Sequence, residues 1–200
     1  MDRIRRRRTL PHWETDRAIY FVTFRLAGSI PKEALARLCT NLRPAPNRIS
    51  DAPQQLQNRP LHARVEKFLD SGAGACYLAR PDVAALVSNA LGIFAGLRYR
   101  LFAWCLMPNH LHAVIEPIGE WNLASIIHTW KSFTANRANQ LLARTGEFWQ
   151  REYYDHQVRN GEDYSRIIRY VLENPSKAGL VNWPWVGTKP WSPQRPHIQS

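Results

Sequence analysis

The chain has 200 residues, 44% of them hydrophobic, and 27 Lys and Arg against 16 Asp and Glu give a formal net charge of +11. That length supports one compact domain with a real core, and so basic a balance points to a polyanionic partner, most often nucleic acid. Cys39, Cys76 and Cys105 show no CxxC spacing, which argues against a zinc ribbon or a disulfide framework. The apolar run over 83–97 is short of the roughly 20 residues that span a bilayer. No apolar signal core follows the Arg-rich start, so the expectation is a soluble, cytoplasmic, nucleoid-associated protein.

Residues 19–26 are rich in β-branched and aromatic types and predict a strand. The stretch 28–75 reads as an insertion, with a short helix over 30–42, a Pro-, Gln- and Asn-rich loop over 43–60 and a further turn of helix over 61–69. From Pro81-Asp82, an N-terminal helix signal, Val83, Leu86, Val87, Ala90, Leu91 and Phe94 recur at helical spacing. Two strand-like runs, 99–106 and 110–116, flank the turn former Met107-Pro108-Asn109 and predict a hairpin. Asn122 opens a second long helix through Leu123, Ile126, Ile127, Trp130, Thr134, Arg137 and Leu141. A strand over 153–158 and a helix over 162–173, bounded by Asn160-Gly161 and Pro175, complete the order.

Strand, helix, strand, strand, helix, strand is the ferredoxin-like split βαβ order of an α+β fold. It predicts an antiparallel sheet with helices on one face plus an extra C-terminal helix. The domain is expected to span 1–183. The tail at 184–200, rich in Pro and Trp, is expected to be extended, with Trp185 and Trp191 covering the core.

Side chains alternate along a strand, so His110 and His112 point the same way, beside Val114 and Glu116, while Leu111, Ala113 and Ile115 face the core. Imidazole is the commonest protein metal ligand, and two on one rigid strand supply most of a divalent-cation site. An HxH pair alone is a weak motif; its place at the mouth of a hairpin, close to Glu116, raises its weight. On the last helix the apolar stripe is Tyr164, Ile167, Ile168, Val171 and Leu172. Tyr170 lies off that stripe, on the flank with Asp163, Arg166 and Asn174. Asn174, one turn on, is a neutral oxygen donor suited to Mg2+ or Mn2+. Such a metal would polarise a phosphodiester that a tyrosine oxygen could attack in line, and Arg166 would favour the phenolate. Off the stripe, loss of the Tyr170 hydroxyl is expected to leave stability nearly unchanged. Tyr153 and Tyr154 are chemical rivals. Arg5, Arg6, Arg7, Arg8 and Lys131 are candidate phosphate contacts, and His128 and His156 read as structural.

With these residues in view, the chain closely resembles the single-tyrosine HUH transposases, and among them the REP-associated tyrosine transposases of bacteria. The resemblance rests on the runs at 20–26 (YFVTFRL), 107–112 (MPNHLH) and 131–134 (KSFT). It also rests on Trp149-Gln150, Asp155-His156, the run at 170–175 (YVLENP) and that at 177–180 (KAGL). It implies His110 and His112 as paired metal ligands, Tyr170 as nucleophile and Asn174 as a further ligand. The implied chemistry is cleavage of single-stranded DNA through a 5′-phosphotyrosine link with a free 3′-hydroxyl, followed by rejoining. The implied partner is a palindromic, REP-like DNA hairpin, and the implied state is a monomer rather than a domain-swapped dimer. The insertion and the tail depart from the family pattern. The competing reading is a non-cleaving hairpin DNA-binding regulator of the same fold.

Overall fold

The computed structural model describes residues 3–7, 10–14, 18–40 and 54–188, with side chains for 18–38 and 62–188. Strands β1 (Arg3–Arg7) and β2 (Leu10–Glu14) pair antiparallel as a separate ribbon. There follow β3 (Tyr20–Arg25), α1 (Lys32–Thr40), α2 (Gln54–Asp70) and α3 (Pro81–Ile93). Next come β4 (Tyr99–Leu106), β5 (His110–Pro117), α4 (Leu123–Leu141), β6 (Tyr154–Gln157), α5 (Gly161–Lys177) and β7 (Val186–Gly187). The five-stranded sheet runs β6-β3-β5-β4-β7 with every pair antiparallel. Strands β3 to β6 with α3 and α4 form the expected split βαβ.

Alternation along the strands divides two cores between the sheet's faces. On one, Tyr20, Val22 and Phe24 of β3 and Leu111, Ala113 and Ile115 of β5 meet Val83, Val87 and Leu91 of α3 and Ile126, Ile127 and Trp130 of α4. Buried polar groups there are paired: Tyr99 Oη donates to Leu91 O and accepts from Trp130 Nε1, both at 2.9 Å. On the other face, Phe21, Ala103, Cys105 and Val114 pack against Ile167 and Val171 of α5. Helices α3 and α4 therefore cover one side and α5 the other, the side to which the histidines point.

Three elements differ from the sequence expectation. Helix α5 runs past Glu173 through Pro175, because a proline forfeits one backbone donor but the next turn still closes. Ala178 N–H bonds Asn174 O at 3.0 Å, and Gly179 at φ 75° then ends the helix. Helix α2 begins at Gln54, so 54–60 are helical where a loop is predicted, glutamine being a good helix former whatever its neighbours. The rest of that loop, 43–53, lies outside the described residues, as do 41–42 of the predicted helix and Trp191. Beyond residue 183, Leu106 N donates to Trp185 O at 2.8 Å and β7 extends the sheet along β4. Among the described residues no helix is long and apolar enough to cross a membrane.

Candidate active site

The imidazoles of His110 and His112 are fully buried, and each is aligned by a neighbour. Thr23 of β3, directly opposite in register, places Oγ1 at 2.8 Å from His112 Nδ1. Asn109 Nδ2 donates to Leu69 O at 2.9 Å, which leaves its Oδ1 facing His110 Nδ1 at 2.7 Å. An amide oxygen only accepts, so His110 carries its proton on Nδ1 and turns the Nε2 lone pair inward. The two Nε2 atoms are 2.9 Å apart. Burial, with His112 adjacent, pushes the His110 pKa down to about 3 and keeps that ring neutral.

Helix α2 faces this pair with His62, Glu66 and Asp70, spaced one turn apart on one helix face. Glu66 Oε2 lies 3.2 Å from His112 Nε2, and Asp70 Oδ1 lies 3.9 Å from His110 Nε2. Burial alone would favour a neutral Glu66, but His112 beside it outweighs burial and holds the carboxyl well below the usual range. Asp70 is pushed up to about 6, first by burial and then by the Glu66 charge. Ligand atoms of Glu66, His110 and His112 all fall within 4.8 Å of one another.

Helix α5 brings Tyr170 to the same point. Its hydroxyl donates to Glu66 Oε2 at 2.6 Å, and its ring stands edge-on to those of His112 and Phe21. Burial and then the Glu66 carboxylate raise the phenol well above its ordinary pKa, with the nearby Asn174 amide offsetting a part. The expectation that Arg166 favours the phenolate is therefore overturned: the hydroxyl faces an anion, and Arg166 pairs with Asp163 at the rim. Nor is the hydroxyl energetically idle, since its acceptor is a buried carboxylate. Asn174 is buried one turn further on.

Glu66 Oε1, Asp70 Oδ1 and Asn174 Oδ1 are buried and have no hydrogen-bond partner among the described residues. Native proteins rarely leave such atoms unmet. Bare oxygen lone pairs around inward-facing imidazole nitrogens make a donor set that fits a divalent cation. A cavity of about 470 Å³ opens beside them, lined by Phe21, His62, Tyr154, Arg166 and Tyr170 among others.

The remaining sequence candidates fall elsewhere. Lys131 lies on α4, across the sheet from the histidines, and its ammonium donates to Gln150 O at 2.6 Å and Arg151 O at 2.8 Å. It braces a loop there, and burial lowers its pKa to about 8. Tyr154 stacks on His62 with ring centroids 3.6 Å apart and lines the cavity, whereas Tyr153 packs against the core of the opposite face. His156 bonds Asp163 Oδ2 at 2.9 Å, a structural role, and His128 is exposed on α4. Arg5, Arg6 and Arg7 lie in β1 with side chains outside the described set, and Arg8 is outside it altogether. Sequence reasoning misses Glu66, Asp70, His62 and Thr23. The spacing of His62, Glu66 and Asp70 is the signal that could have found three of them.

Residues 85–174 match the family model described as "Transposase IS200 like". The segment runs from within α3 to Asn174, so it holds both histidines and Tyr170, and over this stretch the chain is similar to the IS200-like transposases. The chain is also similar to the REP-associated tyrosine transposase of Escherichia coli (strain K12), 27% identical over 93 residues, 44% of this chain and 53% of that protein. It is also similar to an uncharacterized protein of Haemophilus influenzae, 30% identical over 98 residues, 38% of this chain and 54% of the other. The chain thus spans about half the length of the curated relatives it matches. A solved structure described as a REP-associated tyrosine transposase bound to a REP hairpin aligns with a TM-score of 0.49 at 19% identity, covering 93% of this chain and 82% of that one. Helix α2, with Glu66 and Asp70, lies outside the matched family segment.

Proposed function

We propose that this chain is a metal-dependent endonuclease and strand transferase for single-stranded DNA, of transposase type, acting on palindromic hairpins through a 5′-phosphotyrosine intermediate. The observation that carries the reading is the meeting of three elements at one cavity. Strand β5 presents two neutral-capable imidazoles, α5 presents a tyrosine hydroxyl, and Glu66 of α2 lies within 2.6 Å of the hydroxyl and 3.2 Å of His112. Tyr170 is the nucleophile: its oxygen bonds to phosphorus as the bond to the 3′ oxygen breaks, leaving a free 3′-hydroxyl. Glu66 Oε2 accepts the phenolic hydrogen bond and so orients the hydroxyl at the cavity; the phenolic proton passes, net, to the departing 3′ oxygen. His110 and His112, locked by Asn109 and Thr23, hold the cation, with Glu66 and Asn174 as the oxygen donors to choose between. Bound there, Mg2+ or Mn2+ would supply Lewis-acid polarisation of the phosphodiester.

The charge of +11 suits a phosphate backbone. Arg5, Arg6, Arg7, Arg8 and Arg166 are the proposed phosphate contacts; Lys131, occupied by two carbonyls, is not. The partner proposed is a REP-like hairpin with a single-stranded flank, bound by a monomer. The test is a labelled hairpin incubated with protein and Mn2+ and resolved in SDS. Wild type should form a covalent adduct, and His112→Ala should lose the adduct while retaining DNA binding. Tight hairpin binding with no adduct from wild type would establish the non-cleaving regulator instead. Equal affinity for the hairpin and for duplex of equal length, measured in one buffer, would remove the hairpin assignment.

A further inference from the structure

We infer that the cation shell is completed by the insertion helix: Glu66 and Asp70 of α2, rather than Asn174 of α5, join His110 and His112 in a four-donor site of Mn2+ class. The inference rests on the proposed reading of the histidine pair as metal ligands and names the partners that the pair requires.

The first argument is the state of Glu66. Its side chain is only 8% exposed, yet Oε1 has no hydrogen-bond partner among the described residues. A buried carboxylate is costly unless paired or metal-bound. The groups at hand are the phenol of Tyr170 and the imidazole of His112, both at the other oxygen, and the imidazole of His62, which stays 3.7 Å from Oε1 and so beyond hydrogen-bond distance. A divalent cation between Glu66 and the two Nε2 atoms supplies the missing partner.

The second argument is Asp70, one turn along the same helix face. Its Oδ1 also has no hydrogen-bond partner among the described residues and lies 3.9 Å from His110 Nε2. Two carboxylates turned toward one point repel unless a cation lies between them. Their two negative charges balance a divalent ion held with neutral imidazoles, which an amide such as Asn174 does not do.

The third argument is how α2 is anchored. Asn109 aligns His110 through Oδ1 and, through Nδ2, holds the carbonyl of Leu69, the residue preceding Asp70. Leu69 itself is buried. A single side chain therefore fixes an imidazole ligand and the end of the carboxylate-bearing helix relative to each other. Asn174 instead lies by the hydroxyl of Tyr170.

Donor type selects the metal. Imidazole suits transition metals, carboxylate suits Mg2+, Ca2+ and Mn2+, and Mn2+ is the ion common to both preferences. Mg2+ keeps its waters and takes one or two carboxylates, so two imidazoles serve it poorly.

The test is Mn2+ titration of the full chain without DNA, by calorimetry and by Mn2+ electron paramagnetic resonance, with folding checked by circular dichroism in EDTA. His112→Ala should abolish high-affinity binding. Glu66→Gln should weaken Mn2+ by at least about 100-fold, Asp70→Asn by about tenfold and Asn174→Ala by less than about threefold. If Glu66→Gln does not fold, Glu66→Asp keeps the charge on a shorter arm and must also bind more weakly. Wild-type affinity in the Glu66 variants, with the loss falling on Asn174→Ala, overturns the α2 assignment and leaves the histidine pair standing. Wild-type affinity in His112→Ala overturns the underlying metal reading. Equal affinity for Mg2+ and Mn2+ overturns the N2O2 ligand set.

Discussion

Tyr170→Phe removes one oxygen, which the structure bonds to Glu66 and the proposed mechanism uses as nucleophile. The hydroxyl donates at 2.6 Å to Glu66 Oε2, a buried and ionised acceptor. A hydrogen bond to a charged group contributes about 1.5–3 kcal/mol, and its loss leaves a buried carboxylate less well solvated. The metal-free variant should therefore lose about 2 kcal/mol, roughly 4–8 °C in Tm for a domain of this size. A helical wheel, which places Tyr170 off the apolar stripe, gives no such cost. When Mn2+ occupies the carboxylate, Glu66 has another partner and the deficit should shrink by at least half. Paired melts of wild type and Tyr170→Phe in EDTA and in millimolar Mn2+ measure both quantities. The SDS-stable DNA adduct should vanish in either condition. An unchanged Tm in EDTA would refute the Tyr170–Glu66 bond, and a surviving adduct would refute Tyr170 as nucleophile. Tyr154→Phe is then the next variant, because Tyr154 lines the same cavity; Tyr153→Phe should keep the adduct, since Tyr153 packs on the opposite face.

Three further outcomes follow from the supporting contacts. Thr23→Val keeps shape but removes the partner of His112 Nδ1, so Mn2+ affinity should fall about 10–100-fold; unchanged titration curves would mean the hydroxyl does not orient the ring. Lys131→Met should lower stability by about 1–3 kcal/mol through two unmet carbonyls and leave the salt dependence of DNA binding alone. A salt slope smaller by about one would return Lys131 to the phosphate backbone. Asp163 is held at about 2, below its usual 3.8: burial opposes this, but bonds from His156, Arg166 and the Arg159 amide outweigh it. A depressed carboxyl pKa stabilises the fold above the unfolded value and loses that contribution as pH falls through the folded one. Asp163→Asn should therefore melt lower at neutral pH and show a flatter stability profile between about pH 4 and pH 2 than wild type; parallel profiles would exclude the contribution.

What was legible in the sequence is what local periodicity controls. The period of two puts His110, His112 and Val114 on the α5 face and Leu111, Ala113 and Ile115 in the other core, as found. Asn122 marks the start of α4 by the chemistry of a cap, its Oδ1 accepting from Ser125 N at 2.9 Å. Helix α2 has no such advantage. Its apolar pattern is weak, its flanking Pro, Gln and Asn read as loop, and a stripe of His62, Glu66 and Asp70 looks like a solvated face. Only the tertiary arrangement removes the solvent, by setting that stripe against β5 and α5. The Tyr170–Glu66 bond joins residues 104 positions apart, a distance at which no local rule operates.

The same split explains why a family segment can hold both imidazoles and Tyr170 yet, on the proposed reading, leave the site incomplete. Residues 85–174 carry His110, His112, Tyr170 and Asn174, all of them neutral in their ordinary acceptor or donor roles. A divalent ion held only by neutral ligands leaves its charge to be balanced by bound hydroxide, solution anions or the substrate phosphate. With Glu66 and Asp70 added from α2, the charge balance is present in the protein before DNA arrives. On the proposed ligand set the insertion is chemically part of the centre. On the same reading, a chain with this His-x-His strand and tyrosine helix but no α2 would need another oxygen donor, and the position one turn beyond the tyrosine, held here by buried Asn174, would offer one.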